Sequence, residues 1–379
     1  MNSPQITQVL VKNPEFIFSN YIDDLPRTKV VALTTSRSLT TIKAPGDSSA
    51  DDQSYGLFAS GKVTSNYPAI KGRPYREGDP ICDRICAKLF ENRIICCIAD
   101  GCNWGDMPRK AAKRAVKYFI QFIEQNYKEI TSIRACGSIL LAALAHAHVQ
   151  IPDVNSIFPT AATTLLGGVL LEIDKKEEPS LDYSWTFVFV SVGDCKAFHY
   201  NKATKQVRDL TVMQQNQLDF TAEPAGYIGG STGKPNLQNL VLLSTSCNDD
   251  DIVICVSDGI YDNIDPIASG KLPKDFNLNE KDWKSVPLET SNSIRTKYIT
   301  DFIADVICLD KEPNVKCITN RLIDHSYQVT SRSREYMEQH PTGKLSLDPT
   351  LHPGKLDHAS CVCFRVGRVT LSYQEWVKQ

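Results

Sequence analysis

Ile252-Val253-Ile254-Cys255-Val256-Ser257-Asp258-Gly259-Ile260-Tyr261-Asp262 is the most telling stretch of the chain. Five apolar residues read as a strand, and the strand runs straight into an Asp-Gly pair. The same sequence of events occurs twice more. Arg93–Ala99 (RIICCIA) is a buried strand that ends at Asp100-Gly101, and Ser184–Val192 ends at Gly193-Asp194. An aspartate just past a buried strand is held by a rigid scaffold close to low-dielectric core. Such a carboxylate is costly unless it is paired or metal-bound. One Asp-Gly is an ordinary turn. Two such pairs and one Gly-Asp, each behind a strong apolar run, point to a shared rim of carboxylates of the kind that attracts hard divalent cations.

Outward from these strands, the texture is uneven. Asp106–Asn126 reads as a helix: Asp106 can cap it, Pro108 suits its first turn, and Ala111, Ala115, Phe119 and either Phe122 or Ile123 recur at helical spacing. Ser132–Val149 is a second, Ala- and Leu-rich helix. Strand signals then follow one another: Thr163–Ile173, Ser184–Val192, Ala197–Tyr200, Val207–Thr211, Leu240–Ser244 and Ile252–Val256, with a hairpin-like junction at Lys202–Lys205. After Asp262 come two helical stretches, Ser293–Leu309 and Val315–Met337, and a closing strand, Ser360–Val366. Strands following strands, without regular βα alternation, argue against Rossmann and TIM-barrel folds. The expectation is an α+β domain of antiparallel sheets flanked by helix pairs. It spans 55–370, with an N-terminal extension (1–54) expected either to be partly disordered or to add one edge strand, and a short tail (371–379).

The chain has 379 residues, 42 Lys plus Arg against 44 Asp plus Glu, 42% hydrophobic and 23% charged residues. This is an ordinary globular composition. A net charge of −2 gives no pull toward nucleic acid or anionic lipid, and no apolar run reaches the roughly 18 residues of a membrane span. The N-terminus lacks a secretory pattern, so a cytoplasmic location is expected. The 13 cysteines are odd in number, and several sit inside apolar strands, which reads as reduced core thiols rather than a disulfide framework.

Taken in order, five segments resemble the metal-dependent protein phosphatase 2C family, over about 300 residues from Tyr55 to Val369. Gly72-Arg73-Pro74-Tyr75-Arg76-Glu77 is similar to its early Gly/Arg/Glu-Asp motif. Asp100-Gly101 resembles the metal-bridging pair that opens its signature. Gly193-Asp194-Cys195-Lys196-Ala197 is similar to its Gly-Asp-Ser-Arg-Ala turn, and Ser257–Asp262 to its Ser-Asp-Gly-(Leu/Ile)-(Trp/Tyr)-Asp block. Gly354–Ser360 resembles its last Asp motif. The Thr163-Thr164 pair resembles the family's Thr-containing strand start.

The resemblance implies a β-sandwich of two antiparallel sheets flanked by pairs of helices, with a binuclear site at one end. It also implies hydrolysis of phosphoserine and phosphothreonine in proteins by water held between two Mg²⁺ or Mn²⁺ ions about 4 Å apart. By this likeness Asp100 bridges the ions and the Gly101 carbonyl binds one of them. Asp258 and Asp357 hold the other, and Glu77 holds metal-bound water. Asp194 and Asp262 contribute to a weaker third position, and Arg73 grips the phosphate with its planar fork. The implied partner is a phosphoprotein substrate of a monomeric enzyme.

The sequence departs from the family at three places. Cys102 stands where the family has His, the proposed general acid, whose help is worth roughly 10²–10⁴-fold. Gly78 replaces the acidic residue after Glu77, with Asp79 one place late. His358 stands in place of Asn and is read as a surface or supporting histidine rather than a ligand. These departures keep a second reading open, a catalytically weak or silent phosphatase-like binding or scaffold protein. A small phosphoester remains an alternative substrate. His146 and His148 do not share a helix face, and the glycine-rich Gly226–Gly233 lacks the P-loop Lys-Ser/Thr. The 213–238 stretch takes the place of the family's flap beside the site. Arg109, Lys110, Lys113, Arg114 and Lys117 read as one solvated helix face.

Overall fold

The computed structural model describes residues 19–33, 35, 37–45, 52–152, 161–211, 224–231 and 233–370. Its frame is a pair of six-stranded antiparallel sheets. The first runs in space β1 (Thr40–Ala44), β4 (Arg84–Phe90), β5 (Arg93–Ala99), β7 (Leu165–Glu172), β8 (Trp185–Val192) and β12 (Val241–Cys247). The second runs β10 (Gln206–Asp209), β9 (Lys196–Asn201), β13 (Ile252–Val256), β14 (His358–Arg365), β3 (Ala59–Ser65) and β2 (Asp52–Tyr55). Two-residue strands β6 (Ala162–Thr163) and β11 (Ile228–Gly229) pair on their own. This is the α+β class read from the sequence.

Alternation along each strand splits its side chains between two cores. In β5, Ile94, Cys96 and Ile98 face Val253, Cys255, Val362 and Phe364 of the opposite sheet, in the layer between the sheets. Ile95, Cys97 and Ala99 face outward onto α2 (Asp106–Gln125) and α3 (Ile133–Gln150), packing with Ala111, Ala115, Phe119 and Leu140. The second sheet does the same: Ile252, Ile254, Val256, Cys361 and Cys363 meet helices α4 (Asp258–Ile264), α5 (Leu288–Cys308) and α6 (Val315–Val329) through Ile260, Ile303, Ile318 and Leu322. Coverage on both faces explains why these strands are continuous apolar runs rather than alternating ones. All 13 cysteines are free thiols, most of them buried in these layers.

Several expected boundaries shift. The first 54 residues contribute α1 (Ser19–Asp23) and β1, and β2 straddles position 54. Leu25, Val30 and Leu33 join the core under α3. Asp106 is not the cap of α2: Gly105 holds that position, and Asp106 sits in the first turn facing Arg109 at 3.4 Å. The α3 cap is the expected Ser132, whose hydroxyl accepts from Ala135 N at 3.1 Å. The stretch Val315–Met337 is two helices, α6 and α7 (Ser331–Gln339), parted at Thr330, whose hydroxyl turns back to the Ser326 carbonyl at 2.8 Å. The tail 371–379 and much of the 213–238 flap stretch lie outside the described residues. Among the described residues no helix is long and apolar enough to cross a membrane.

Candidate functional site

The strand ends meet. Asp100, Gly101, Asp194, Asp258 and Asp357 line one pocket of about 180 Å³ together with Tyr67, Cys102, Asn103, Trp104, Thr164, Pro224, Lys355 and His358. Each acid is fixed by its own local chemistry. Asp100 leaves β5 and is stitched to the start of β7: its N–H donates to Thr164 Oγ1 (3.1 Å), and its carbonyl accepts from Thr164 N (2.8 Å) and Thr163 Oγ1 (2.7 Å). Asp194 follows β8 through Gly193, whose φ of 107° and whose approach to Thr164 exclude a Cβ, which would lie 2.5 Å from Thr164 Cβ. Asn239 clamps that turn, accepting from Gly193 N (3.0 Å) and donating to Gly193 O (2.7 Å).

Asp258 opens α4 directly after β13. Asp262 lies four residues on, so both carboxylates share a helix face. Asp357 precedes β14 and accepts from Tyr67 Oη (3.2 Å) and from His358 N (2.9 Å). Tyr67 in turn accepts from the exposed Trp104 indole at 2.8 Å.

Two members of the cluster escaped the sequence reading. Asp83 is fully buried and accepts from Ser360 Oγ at 2.6 Å. The signal for it was available: β4 and β5 form a hairpin with Arg84 opposite Ala99, which carries Asp83 opposite Asp100. Lys355 is the second. Its ammonium reaches Asp258, Asp357 (3.0 Å) and Asp262 (3.3 Å).

Electrostatics follow from this crowding. Burial, then Asp83, Asp258 and Asp357, hold the Asp100 carboxyl far above the usual range. Burial, then neighbouring Asp258, push Asp194 up to about 7. Burial, partly offset by Lys355, leaves Asp262 at about 7, and burial with Asp258 leaves Asp357 at about 6. Asp83 is pushed to about 6, chiefly by burial. Burial acts to raise Asp258 as well, but the Lys355 ammonium and a hydrogen bond from Asp100 hold it below the usual range. The crowding thus pushes the two in opposite directions, Asp100 up and Asp258 down. Lys355 loses solvation, yet Asp258, Asp357, Asp262 and Asp194 more than compensate and fix it as the ammonium.

The structure gathers Asp100, Gly101, Asp194, Asp258, Asp357 and Cys102 at the pocket, with Asp262 behind Lys355. It does not bring Arg73 or Glu77 to the residues that line it. The reason is local. Residues 68–79 double back on themselves, with Ala69 bridged to Arg76, Ile70 N bonded to Tyr75 O (3.3 Å) and Glu77 N to Pro68 O (3.0 Å). Arg73 rides at the turn of this excursion, exposed, with its guanidinium on the Tyr75 hydroxyl and 5.5 Å from that ring. His358 is buried, and its Nδ1 accepts from Cys82 N at 3.4 Å. Burial lowers its pKa.

The donor type suits hard divalent ions, and among the described residues Asp83 Oδ1, Asp194 Oδ1 and Asp258 Oδ1 are buried without a hydrogen-bond partner. Among the described residues no group of three His, Cys, Asp or Glu side chains is set to hold a metal ion. The place between Asp258, Asp262 and Asp357, where carboxylate oxygens do converge, is taken by the Lys355 ammonium.

No protein-family model matches the chain. A PP2C-like domain-containing protein of Drosophila melanogaster is 29% identical over 247 residues, which is 63% of this chain and 32% of that protein. The match thus spans about a third of the relative's length. Among solved structures, the photosystem II phosphatase PBCP is 14% identical, with a TM-score of 0.48, over 83% of this chain and 100% of its own. The catalytic domain of the serine/threonine phosphatase PstP, in complex with two manganese ions, is 11% identical, with a TM-score of 0.41, over 82% and 99%. The similarity to the PP2C-like Drosophila protein agrees with the motif resemblance to the phosphatase 2C family.

Proposed function

We propose that the chain is a phosphatase-2C-like domain that works by binding a protein partner and is catalytically weak or silent toward phosphoserine and phosphothreonine. One observation carries this reading: the Lys355 ammonium sits among Asp258, Asp262 and Asp357, where the resemblance expects metal ligands. The carboxylates of Asp83, Asp100, Asp194, Asp258, Asp262 and Asp357 outnumber the lysines beside them, Lys355 and the buried Lys196. Like charge at these separations repels an arriving phosphate dianion. Arg73, the residue the resemblance assigns to phosphate, does not line the pocket, which supports the same reading.

A second reading, Mg²⁺- or Mn²⁺-dependent hydrolysis of phosphoserine and phosphothreonine in proteins, is favoured by the convergence of Asp100, Gly101, Asp194, Asp258 and Asp357 on one pocket. Hydrolysis of a phosphopeptide by wild type and Asp258→Ala, with and without Mn²⁺ or Mg²⁺, separates the two. Rates at background and equal in both proteins are expected. Metal-dependent turnover that Asp258→Ala abolishes would overturn the binding reading and establish the second.

A further inference from the structure

We infer that Lys355 is a tethered cation that takes the place of a divalent ion between Asp258, Asp262 and Asp357 and so resists the loading of metal there. The inference rests on the binding reading above and adds the residue responsible for it. The geometry is that of a charge seated by design of the backbone. Three carboxylates surround the ammonium: Asp258 Oδ2 accepts its hydrogen bond, and Asp357 Oδ2 at 3.0 Å and Asp262 Oδ2 at 3.3 Å complete the ion-pair set.

The lysine main chain is pinned from both sides. Its N–H donates to Asn263 Oδ1 (2.9 Å), its carbonyl accepts from Asn263 Nδ2 (3.0 Å), and Asn263 is fully buried. Gly354 before it takes φ +81° and donates to Ala268 O at 2.7 Å. The same Asn263 Nδ2 donates to Gly259 O (2.7 Å), so one amide ties the lysine to the helix that carries Asp258 and Asp262. The cation is thus intramolecular, and a soluble ion must compete against its high effective concentration. Competition is physically open, because 30% of the Lys355 side chain remains exposed toward the pocket. Removing the ammonium leaves a dense set of hard oxygen donors with less charge to balance them, the donor type that Mn²⁺ and Mg²⁺ select.

Calorimetric titration of the full chain with Mn²⁺, with electron paramagnetic resonance on the same samples, tests this in wild type, Lys355→Ala and Lys355→Arg. Wild type and Lys355→Arg are expected to take up no Mn²⁺ below about 1 mM, whereas Lys355→Ala binds at least about tenfold more tightly. Melting of Lys355→Ala, early in EDTA, is expected to recover as Mn²⁺ is added. Tight Mn²⁺ uptake by wild type overturns the inference. So does a folded Lys355→Ala that gains no Mn²⁺.

Should the alanine variant fail to fold, Lys355→Gln keeps the side-chain length and carries the same expectation and the same refutation. Phosphopeptide turnover is a separate readout. A wild type that binds Mn²⁺ tightly yet hydrolyses nothing refutes the tethered cation and leaves the binding function standing. A wild type that hydrolyses without tight Mn²⁺ uptake does the reverse.

Discussion

Replacing Gly259 by alanine probes the joint that sets the acid cluster. Gly259 is the second residue of α4, and a Cβ built on it would lie 1.9 Å from the His358 carbonyl oxygen, 2.8 Å from its carbon and 3.2 Å from Ala359 Cα. All three are backbone atoms, so no side chain can swing aside. Carbon-to-oxygen contacts settle at about 3.4 Å, so α4 and the start of β14 must part by roughly 1.5 Å. That separation breaks the lock between the two segments, Ser257 N to Ser360 O (3.0 Å) and Ser360 N to Ser257 Oγ (3.0 Å). Two hydrogen bonds at about 1 kcal/mol each, with about 1–3 kcal/mol for overpacking, give a loss of roughly 3–5 kcal/mol. With an m-value of about 3 kcal/mol/M, the urea midpoint should fall by roughly 1–1.7 M. Gly72→Ala is the control: φ is +76°, but nothing lies within 4 Å of its Cβ, so only the backbone strain of about 1 kcal/mol remains. A midpoint for Gly259→Ala within 0.2 M of the control, an about 0.6 kcal/mol margin at that slope, would refute the close-approach argument.

Two further expectations concern buried charge elsewhere. Arg295 and Asp265 form an ion pair at 2.6 Å with side chains 4% and 0% exposed, and Asp265 also accepts from Ile267 N at 2.8 Å; Arg295→Ala should cost about 3–5 kcal/mol in urea unfolding, and Arg295→Met with Asp265→Asn, which keeps that acceptor, should recover part of it. His148 is buried, accepts from Gly229 N at 2.9 Å, and is held below its ordinary pKa by burial. Its neutral form is the one that fits the fold, so the stability it supports is complete above about pH 6.5 and fades as pH falls through that value toward the depressed native pKa. Thermal melts from pH 7.5 down to about 5.5 should therefore show a steeper acid-side loss in wild type than in His148→Gln; parallel curves would exclude this role.

The legible part of the molecule was its strands and their ends. Arg93–Ala99 reads as a buried strand because Ile94, Cys96 and Ile98 serve one core while Ile95, Cys97 and Ala99 serve another. Asp100, Asp194 and Asp258 could be singled out because a strand end is a rigid address, and all three line one pocket. Arg73 and Glu77 could not be placed the same way. They lie in an excursion whose path depends on its own cross-bonds, such as Glu77 N to Pro68 O, which no periodicity announces. Lys355 was hidden for another reason. A lysine two residues before an aspartate is normally a solvated surface residue, and only the Asn263 clamp turns its stem inward. The division of Val315–Met337 at Thr330 was invisible because threonine is tolerated inside helices and its back-bond to Ser326 is local.

The early strands have a practical consequence. β1 closes the open side of β4, and β2 closes that of β3, so short pieces from residues 40–55 finish both sheets. A fragment begun at Tyr55, where the motif resemblance starts, would present two rows of unpaired backbone N–H and C=O groups to solvent. Such rows template association with other chains. Any shortened version of this protein made for solution work should therefore keep β1 and β2, or it invites self-assembly that has nothing to do with its biology.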